Sequence, residues 1–245
     1  MKTVLITGCN GGLGTALLQK FSSASYNVIA CIYPKDDSFI EKCHQWQIEY
    51  GNQIDIVCYD SGNRESLQEG IDHVIALNKP IDVLVNNAGI SIIKPIFGVE
   101  YEDLQRTFSI NYIATVLLTK AVAEVMIRQE EGGNIVNITS MVSLGSQPGG
   151  TCYDASKAAL NQFTKSMAQE LAAFHVRVNA VAPAPMNTPM FQNLTEKTQR
   201  NALKGIAMKR PAEMEEVANA VLFLASPKAS FITGSILKID GGAIV

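Results

Sequence analysis

The sequence has few of the residues from which metal centres and disulfide frameworks are built. Its five cysteines form no C-x-x-C pair, and their odd number argues against a complete set of disulfide bonds. Its three histidines lie far apart along the chain, which disfavours a zinc site. We therefore expect no metal, and reduced thiols of the kind found in cytoplasmic proteins.

The chain also lacks an excess of either charge and any long apolar run. Its 20 basic and 23 acidic residues give a net charge of −3, which does not favour a nucleic-acid backbone as the main partner. The apolar runs fall far short of the ~20 residues that span a bilayer, and the opening MKTVLITG does not form a secretion signal. These absences predict a cytoplasmic protein that binds neither nucleic acid nor membrane.

What the sequence does have is an alternation of short apolar runs and amphipathic helical patterns. Its 245 residues, 47% of them hydrophobic, suit a single domain. Strands that alternate with helices pair in parallel, and continuously apolar strands indicate a sheet covered on both faces. We predict an α/β fold, a doubly wound Rossmann sandwich with a seven-stranded parallel sheet, in which residues 1–245 form one dinucleotide-binding and catalytic domain. The predicted strands are 4–6, 28–33, 54–59, 81–85, 134–138, 177–181 and 236–239, and the later predicted helices are 39–50, 66–76, 101–129, 152–174 and 215–224.

Residues 184–209 have no place in this alternation. Pro183, Pro185 and Pro189 interrupt any regular element there. A loop of this length inside a compact domain usually binds something, and its polar second half favours movement. We predict a substrate loop that acts as a lid and orders over cofactor and substrate, with a static covering loop as the alternative.

A glycine-rich turn follows the first predicted strand. Its sequence TGCNGGLG places Gly8, Gly12 and Gly14 directly before a helical pattern. Backbone N–H groups at a helix N-terminus attract a pyrophosphate, and glycines let the phosphates approach the backbone. Such turns also form for steric reasons alone, but the position of this one in a complete β-α-β unit predicts a dinucleotide site.

A tyrosine and a lysine stand four residues apart at the start of a later helix. Tyr153 and Lys157 therefore share one helix face, where an ammonium group lowers the pKa of a phenol and lets it exchange protons. Such a pair is usually no more than two surface neighbours. Here, however, Ser140 follows the preceding strand, so all three side chains are expected at the carboxyl edge of the sheet, where open α/β folds bind ligands.

Together these motifs resemble the short-chain dehydrogenase/reductase family over essentially the whole chain. The glycine turn matches its T-G-x-x-x-G-x-G, residues 86–89 match its N-N-A-G, and Ser140 stands thirteen residues before the tyrosine, as in that family. Ala184 departs from the pattern, because the family usually has glycine after this proline. The resemblance implies that the catalytic residues are Asn111, Ser140, Tyr153 and Lys157, and that the cofactor is bound by Gly8, Asn10, Gly12, Leu13, Gly14, Tyr33, Asp60, Ser61, Asn87, Ala88, Gly89, Tyr153, Lys157, Pro183 and Thr188.

The resemblance also implies a reaction, hydride transfer between nicotinamide and a carbonyl or secondary alcohol, without a metal. Tyr153 gives the carbonyl oxygen a proton or takes one from the alcohol, and Ser140 donates a hydrogen bond to that oxygen. Lys157 lowers the pKa of the tyrosine and holds the nicotinamide ribose, while Asn111 holds a water that links Lys157 to solvent. This predicts an NAD(P)-dependent oxidoreductase with a small-molecule substrate. A catalytically idle nucleotide-binding scaffold is the alternative, disfavoured because all four residues are present.

The residues that end the second strand bear on the choice of cofactor. The acid that bonds the ribose 2′-hydroxyl of NAD would fall at Ile32, and its absence slightly favours NADP(H) over NAD(H). Gly11 replaces a basic residue that NADP-dependent relatives often carry, which leaves Tyr33 and Lys35 to meet a phosphate. The acidic residues 36–37 would oppose that phosphate if they pointed inward.

Overall similarity is to 3-ketoacyl carrier-protein reductases, which dock an acidic carrier protein with two arginines. The matching positions here are Glu131 and Phe174, and an acid there weakens charge complementarity, so this activity is kept as the alternative. The candidate substrate contacts are apolar except for one amide, and for the methionines among them ordinary loop packing is equally favoured. They are Met141, Gln147, Met186, Met190 and Phe191.

The two long helices predicted at residues 101–129 and 152–174 carry more apolar residues than one buried face requires. In the family these helices form subunit interfaces, so the resemblance implies a homotetramer. The apolar positions in question are Ile113, Val116, Leu117, Ala121, Leu160, Phe163 and Met167.

Overall fold

A single parallel sheet organises the computed structural model, which describes residues 1–193 and 195–243 apart from the side chains of Pro189 and Met190. Its seven strands lie in the order β3-β2-β1-β4-β5-β6-β7. The strand order reverses between β1 and β4, and this reversal leaves the crevice in which doubly wound folds bind ligands. The predicted Rossmann sandwich is therefore confirmed. The strands are β1 Thr3–Thr7, β2 Asn27–Ile32, β3 Ile54–Cys58, β4 Val83–Asn86, β5 Gly133–Ile138, β6 Val176–Pro183 and β7 Ile236–Ile239.

Helices cover both faces of this sheet. They are α1 Gly12–Ser23, α2 Asp37–Tyr50, α3 Arg64–Ala76, α4 Tyr101–Phe108, α5 Ala114–Met126, α6 Thr151–Leu171, α7 Pro189–Gln192, α8 Glu196–Ala202 and α9 Met214–Ala225.

The core consists of two apolar clusters, one on each side of the sheet. Successive residues of β1 point to opposite sides, so Ile6 packs in the cluster that holds Phe21 of α1, whereas Leu5 packs with Leu118 and Met126 of α5. Every residue of β1 is buried, which explains why the strand shows no polar alternation. Burying each large side chain contributes about 1.5–3 kcal/mol, so both helical layers hold the strand ends in place.

The helix predicted over residues 101–129 is interrupted. A π turn, Ser109–Ile113, separates α4 from α5, and such a turn displaces the regular hydrogen-bond ladder. Asn111 lies in this turn and is fully buried. The continuous apolar pattern did not indicate this break, because a π turn requires no particular residue type.

The combined helix 101–126 is long and apolar enough to span a membrane by length and composition alone. A core helix of a globular protein meets the same criterion. Leu118, Val122 and Met126 of this helix are buried against the sheet, so this face of the helix packs within the domain.

The segment 184–209 contains more regular structure than its prolines predicted. Pro189 is the first residue of α7, where its missing N–H costs no helical hydrogen bond. The Thr195 hydroxyl accepts a hydrogen bond from the Thr198 N–H at 3.3 Å and so caps α8. The expectation that no helix forms here was wrong, because proline ends helices but also begins them.

Candidate active site

The glycine turn lies between β1 and α1 and is packed too closely for side chains. Gly8 has a positive φ of 67°, and a Cβ on it would lie 3.1 Å from the Ala88 Cα. A Cβ on Gly14 would lie 2.0 Å from the Gly8 carbonyl oxygen, so both positions require glycine. The Thr7 hydroxyl accepts hydrogen bonds from the Asn87 and Ala88 N–H groups, each at 2.9 Å. The ends of β1 and β4 are thereby fixed beside the N-terminus of α1.

A cavity of about 830 Å³ opens beside this turn. It is large enough for a dinucleotide, and backbone N–H groups of a helix N-terminus line it, as a pyrophosphate requires. The predicted cofactor residues that line it are Gly8, Asn10, Gly12, Leu13, Gly14, Tyr33, Asp60, Ser61, Asn87, Ala88 and Gly89.

Sequence reasoning missed the wall that α4 and the π turn contribute to this cavity. Glu102, Gln105 and Arg106 of α4 line it, followed by Ser109 and Ile110 of the turn. These residues stand three or four positions apart and so share one helix face, but no motif in the sequence marks that face, and only the assembled fold brings it to the cavity.

At the far end of the cavity, Tyr33 and Asp60 contact each other. Their side-chain hydrogen bond raises the pKa of the Tyr33 phenol. The two acids expected to oppose a phosphate both bond to other groups of the protein. The Asp36 carboxylate accepts from the Phe39 N–H at 3.0 Å, and Asp37 pairs with Lys35 at 3.0 Å. Lys35 is correspondingly less available to a phosphate than the sequence suggested.

Ser140 and Tyr153 meet at the carboxyl edge of the sheet. Ser140 follows β5, and Tyr153 lies in the first turn of α6. Burial raises the pKa of the Tyr153 phenol, the hydrogen bond with Ser140 lowers it, and Asp154 raises it. Burial is the largest of these effects, so the phenol is neutral across the physiological range.

Lys157 is buried beneath this pair. Burial lowers the pKa of its ammonium group from 10.5 to about 8. Its Nζ donates to the Ile138 carbonyl oxygen at 2.8 Å and lies 6.0 Å from the centroid of the Tyr153 ring. Lys157 is not among the groups that shift the pKa of Tyr153 in this arrangement, so its effect on the tyrosine stays a prediction for the cofactor-bound protein.

Asn111 is held by the loop that follows β4. Its Oδ1 accepts from the Ile90 N–H at 2.8 Å, and its Nδ2 donates to the Ile90 carbonyl and to the Ser156 hydroxyl, each at 2.9 Å. Both amide hydrogens are therefore used. A Cβ on Gly89 would lie 3.1 Å from Asn111 Oδ1 and 3.3 Å from Lys157 Nζ, so this glycine leaves room between the two side chains.

The residues predicted to contact the nicotinamide lie at the end of β6 and in the segment that follows it. Pro183 ends β6, and the Thr188 Cγ2 lies 3.7 Å from where a Gly12 Cβ would be, so the segment after β6 reaches the glycine turn. Neither residue lines the cavity described above.

Two of the residues predicted to contact the substrate, Gln147 and Met186, already contact other parts of the protein. The Gln147 amide donates to the Asp154 carboxylate at 2.9 Å, and Met186 packs against the core beside α1, which favours loop packing for this methionine. Met141 begins the turn after Ser140, and the N–H of Phe191 donates to the Thr188 hydroxyl at 3.2 Å. The side chain of Met190 lies outside the described residues.

Comparison with known proteins shows which family the chain belongs to. A family profile described as enoyl-(acyl carrier protein) reductase matches residues 8–243. The chain is 37% identical to 3-oxoacyl-acyl-carrier-protein reductase FabG of Thermotoga maritima, over 100% of this chain and 98% of the relative.

Solved structures give the same result. A short-chain dehydrogenase/reductase from Serratia marcescens superposes with a TM-score of 0.91 at 27% identity, covering 98% of this chain and 97% of that one. A blue fluorescent protein from a metagenomic library, solved in complex with NADPH, superposes with a TM-score of 0.87 at 28% identity, with the same coverage. The chain therefore belongs to the short-chain dehydrogenase/reductase family and is an NAD(P)-dependent oxidoreductase acting on carbonyl or alcohol groups.

Proposed function

We propose that Tyr153 is the general acid and base of a reaction that interconverts a small-molecule ketone and its secondary alcohol. The observation that supports this most is the meeting of Ser140, Tyr153 and buried Lys157 at the carboxyl edge of the sheet. When bound, the nicotinamide supplies or accepts the hydride. The raised pKa keeps the phenol protonated, which suits it to donate a proton to a carbonyl oxygen.

The neighbouring residues act on the same oxygen and on the phenol. Ser140 donates a hydrogen bond to the substrate oxygen, where negative charge develops. Lys157 leaves the Ile138 carbonyl to contact the nicotinamide ribose, and its charge then favours the phenolate. Since the Asn111 amide hydrogens are occupied, Asn111 contributes its backbone carbonyl to the proton relay. This carbonyl accepts from the Thr115 hydroxyl at 3.2 Å and has a second lone pair for a water.

NADP(H) is the proposed cofactor in preference to NAD(H). The position that would carry the acid selective for NAD is Ile32, and it lines the cavity. Asp36 accepts a hydrogen bond from the Phe39 N–H and Asp37 pairs with Lys35, which reduces the repulsion that either would exert on a 2′-phosphate. Tyr33, half exposed on the cavity wall, offers a hydroxyl to this region.

Reduction of a 3-ketoacyl thioester on a carrier protein is the second candidate, favoured by the FabG relative. Against it, Glu131 is exposed and pairs with Lys2 at 2.9 Å, and Phe174 is half exposed, so neither supplies the cation that would attract an acidic partner. A free ketone or alcohol is therefore preferred.

We also propose that the protein forms a homotetramer. Leu160 and Phe163 are buried within the chain, whereas Ile113 and Leu117 are 47% and 41% exposed. Nearby, Phe97 and Tyr101 are also exposed, so an apolar surface remains on the α4–α5 side for another subunit. A monomeric mass by light scattering at micromolar concentration would contradict the tetramer.

The test of this function is a screen of ketones and secondary alcohols with each of the four nicotinamide cofactors, followed at the absorbance of reduced nicotinamide. We expect turnover of at least one small ketone, with a higher kcat/KM for NADPH than for NADH. Acetoacetyl thioesters of coenzyme A and of carrier protein are included as substrates. Turnover of the carrier-protein thioester alone would favour the second candidate, and tight cofactor binding without any turnover would favour an idle scaffold.

A further inference from the structure

One cation on the wall of the cofactor cavity has no part in the reaction proposed above. Arg106 lies in the last turn of α4, is exposed, and lines the cavity. Among the described lining residues it is the only lysine or arginine. Its guanidinium forms no ion pair or side-chain hydrogen bond with another residue in the described part of the chain. It is therefore free to contact a ligand.

The neighbours of Arg106 place it at one end of the cavity. Ile110, four residues later, lies 3.3 Å from where a Gly62 Cβ would be, and Asp60 Oδ1 lies 3.2 Å from the same point. Tyr33 belongs to the same end, since Asp60 raises the pKa of its phenol and Arg106 has a smaller, lowering effect on that pKa. The glycine turn that suits the pyrophosphate adjoins this group, because the Asn10 side chain donates to the Tyr33 carbonyl at 3.4 Å. The adenosine attached to that pyrophosphate would therefore reach this end.

The charges at this end disfavour a phosphate as the target of Arg106. Asp60 and Glu102 line the cavity together with Arg106, so Arg106 does not belong to a cluster of cations of the kind that binds a phosphate. A purine ring is neutral, and a planar guanidinium stacks on such a ring and is attracted to its face. Tyr33 and Ile110 supply the further aromatic and apolar surface that a base requires.

We infer that Arg106 is an adenine-binding residue, whose guanidinium covers one face of the base and strengthens the binding of NAD(H) and NADP(H) by the same factor. This rests on the nucleotide binding of the proposed function. The residue acts on affinity and leaves the chemical step unchanged.

The test compares the dissociation constants of AMP, 2′,5′-ADP, NADH and NADPH for wild type and Arg106→Ala. We expect all four constants to rise about fivefold to tenfold, with kcat at saturating cofactor unchanged. Arg106→Lys keeps the charge without the planar group, and it should recover less than half of the lost affinity. Arg128→Ala removes another exposed arginine, one that does not line the cavity, and should have no effect.

Three results would overturn the inference. A loss confined to 2′,5′-ADP and NADPH would assign Arg106 to the 2′-phosphate, and full recovery by Arg106→Lys would assign it to charge alone. Unchanged dissociation constants in an Arg106→Ala variant with wild-type Tm would show that Arg106 does not contact the cofactor. Wild-type protein that binds none of the four ligands would instead overturn the nucleotide site itself, which separates failure of the proposed function from failure of this inference.

Discussion

The two halves of the ligand-binding edge of the sheet are prepared in opposite ways. Around β1 and β2, glycines remove side chains and leave a cavity of about 830 Å³ with a polar wall. Around β5, α6 and the π turn, Lys157 and Asn111 are buried and already bonded, Lys157 to the Ile138 carbonyl and Asn111 to Ile90. The first half is already open to the cofactor. In the second half, polar groups must release hydrogen bonds within the protein before they can contact a ligand.

This difference predicts different consequences of mutation in the two halves. Substitutions on the cofactor side should change affinity and leave the chemistry intact, as proposed for Arg106. Substitutions of Lys157 and Asn111 on the catalytic side should change rate and stability together, because these polar side chains are buried at a cost in free energy.

The largest effect is expected from Tyr153→Phe. The ring stays in place and only the transferable proton is lost, so turnover should fall by about 10²–10⁴-fold while the dissociation constant of NADPH changes less than about twofold. Steady-state kinetics and a fluorescence titration measure the two quantities. Tyr112→Phe is the matched control, since Tyr112 contacts Phe163 edge to face nearby and should keep its activity. Retention of a tenth of wild-type turnover by Tyr153→Phe would exclude the assigned role.

Ser140→Ala should have the next largest effect. Removing one hydrogen-bond donor to a developing oxyanion costs about 10²–10³-fold in turnover. Because the Ser140 hydrogen bond lowers the pKa of Tyr153, its loss should also move the phenol's titration to higher pH. In the oxidative direction, which needs the phenolate, the rise of rate with pH would shift upward. An unshifted pH profile would show that Ser140 does not act on the tyrosine.

The motifs near the glycine turn and the Tyr-Lys pair could be predicted from sequence because their chemistry depends on residue type at fixed spacing. Gly14 is an example, since any Cβ there collides with the preceding turn. The π turn at Asn111 and the bond from Lys157 to Ile138 could not be predicted, because they depend on tertiary packing. Arg106 was missed for the same reason, as its helix shows no motif and only the assembled fold brings it to the cavity.

Lys157→Met should stabilise the protein while it abolishes the proposed function of the residue. Burial lowers the pKa of Lys157 from 10.5 to about 8, which corresponds to about 3 kcal/mol at neutral pH. Losing the hydrogen bond to the Ile138 carbonyl offsets about 1–2 kcal/mol of this. We expect a net gain of about 1–2 kcal/mol in the free energy of unfolding at pH 7, measured by urea denaturation.

The direction in which the free energy of unfolding changes with pH is an independent test of whether Lys157 is desolvated. The unfolded lysine keeps its proton up to about pH 10.5, whereas the folded one loses it near 8. Because the unfolded state binds more protons between these values, wild-type stability should rise relative to Lys157→Met as the pH increases through this window. A constant difference between the two proteins across this range would mean that Lys157 is not desolvated.

The smallest effect is expected in the segment after β6, which joins the two halves of the site. Its two ends are fixed, since the Asn187 N–H donates to the Ala212 carbonyl at 2.9 Å and Ile206 is buried. Between them, α8 buries none of its residues, and Gln199 bonds it to the backbone of Phe191 at 3.0 Å. The lid predicted over residues 184–209 is therefore expected to move mainly at α8, about anchors that stay in place.

Hydrogen exchange with and without NADPH separates this lid from a static loop. The Thr188 hydroxyl accepts from the Phe191 N–H at 3.2 Å and can hold the nicotinamide carboxamide at the same time, so cofactor binding should reach α8 through α7. We expect slower exchange of α8 amides in the complex and unchanged exchange in α9, which serves as the internal control. Thr188→Val removes the hydroxyl and should abolish the slowing while NADPH remains bound at saturation. Equal protection of α8 in the free and bound wild-type protein would exclude the lid, and slowing that persists in Thr188→Val would place its cause elsewhere in the segment.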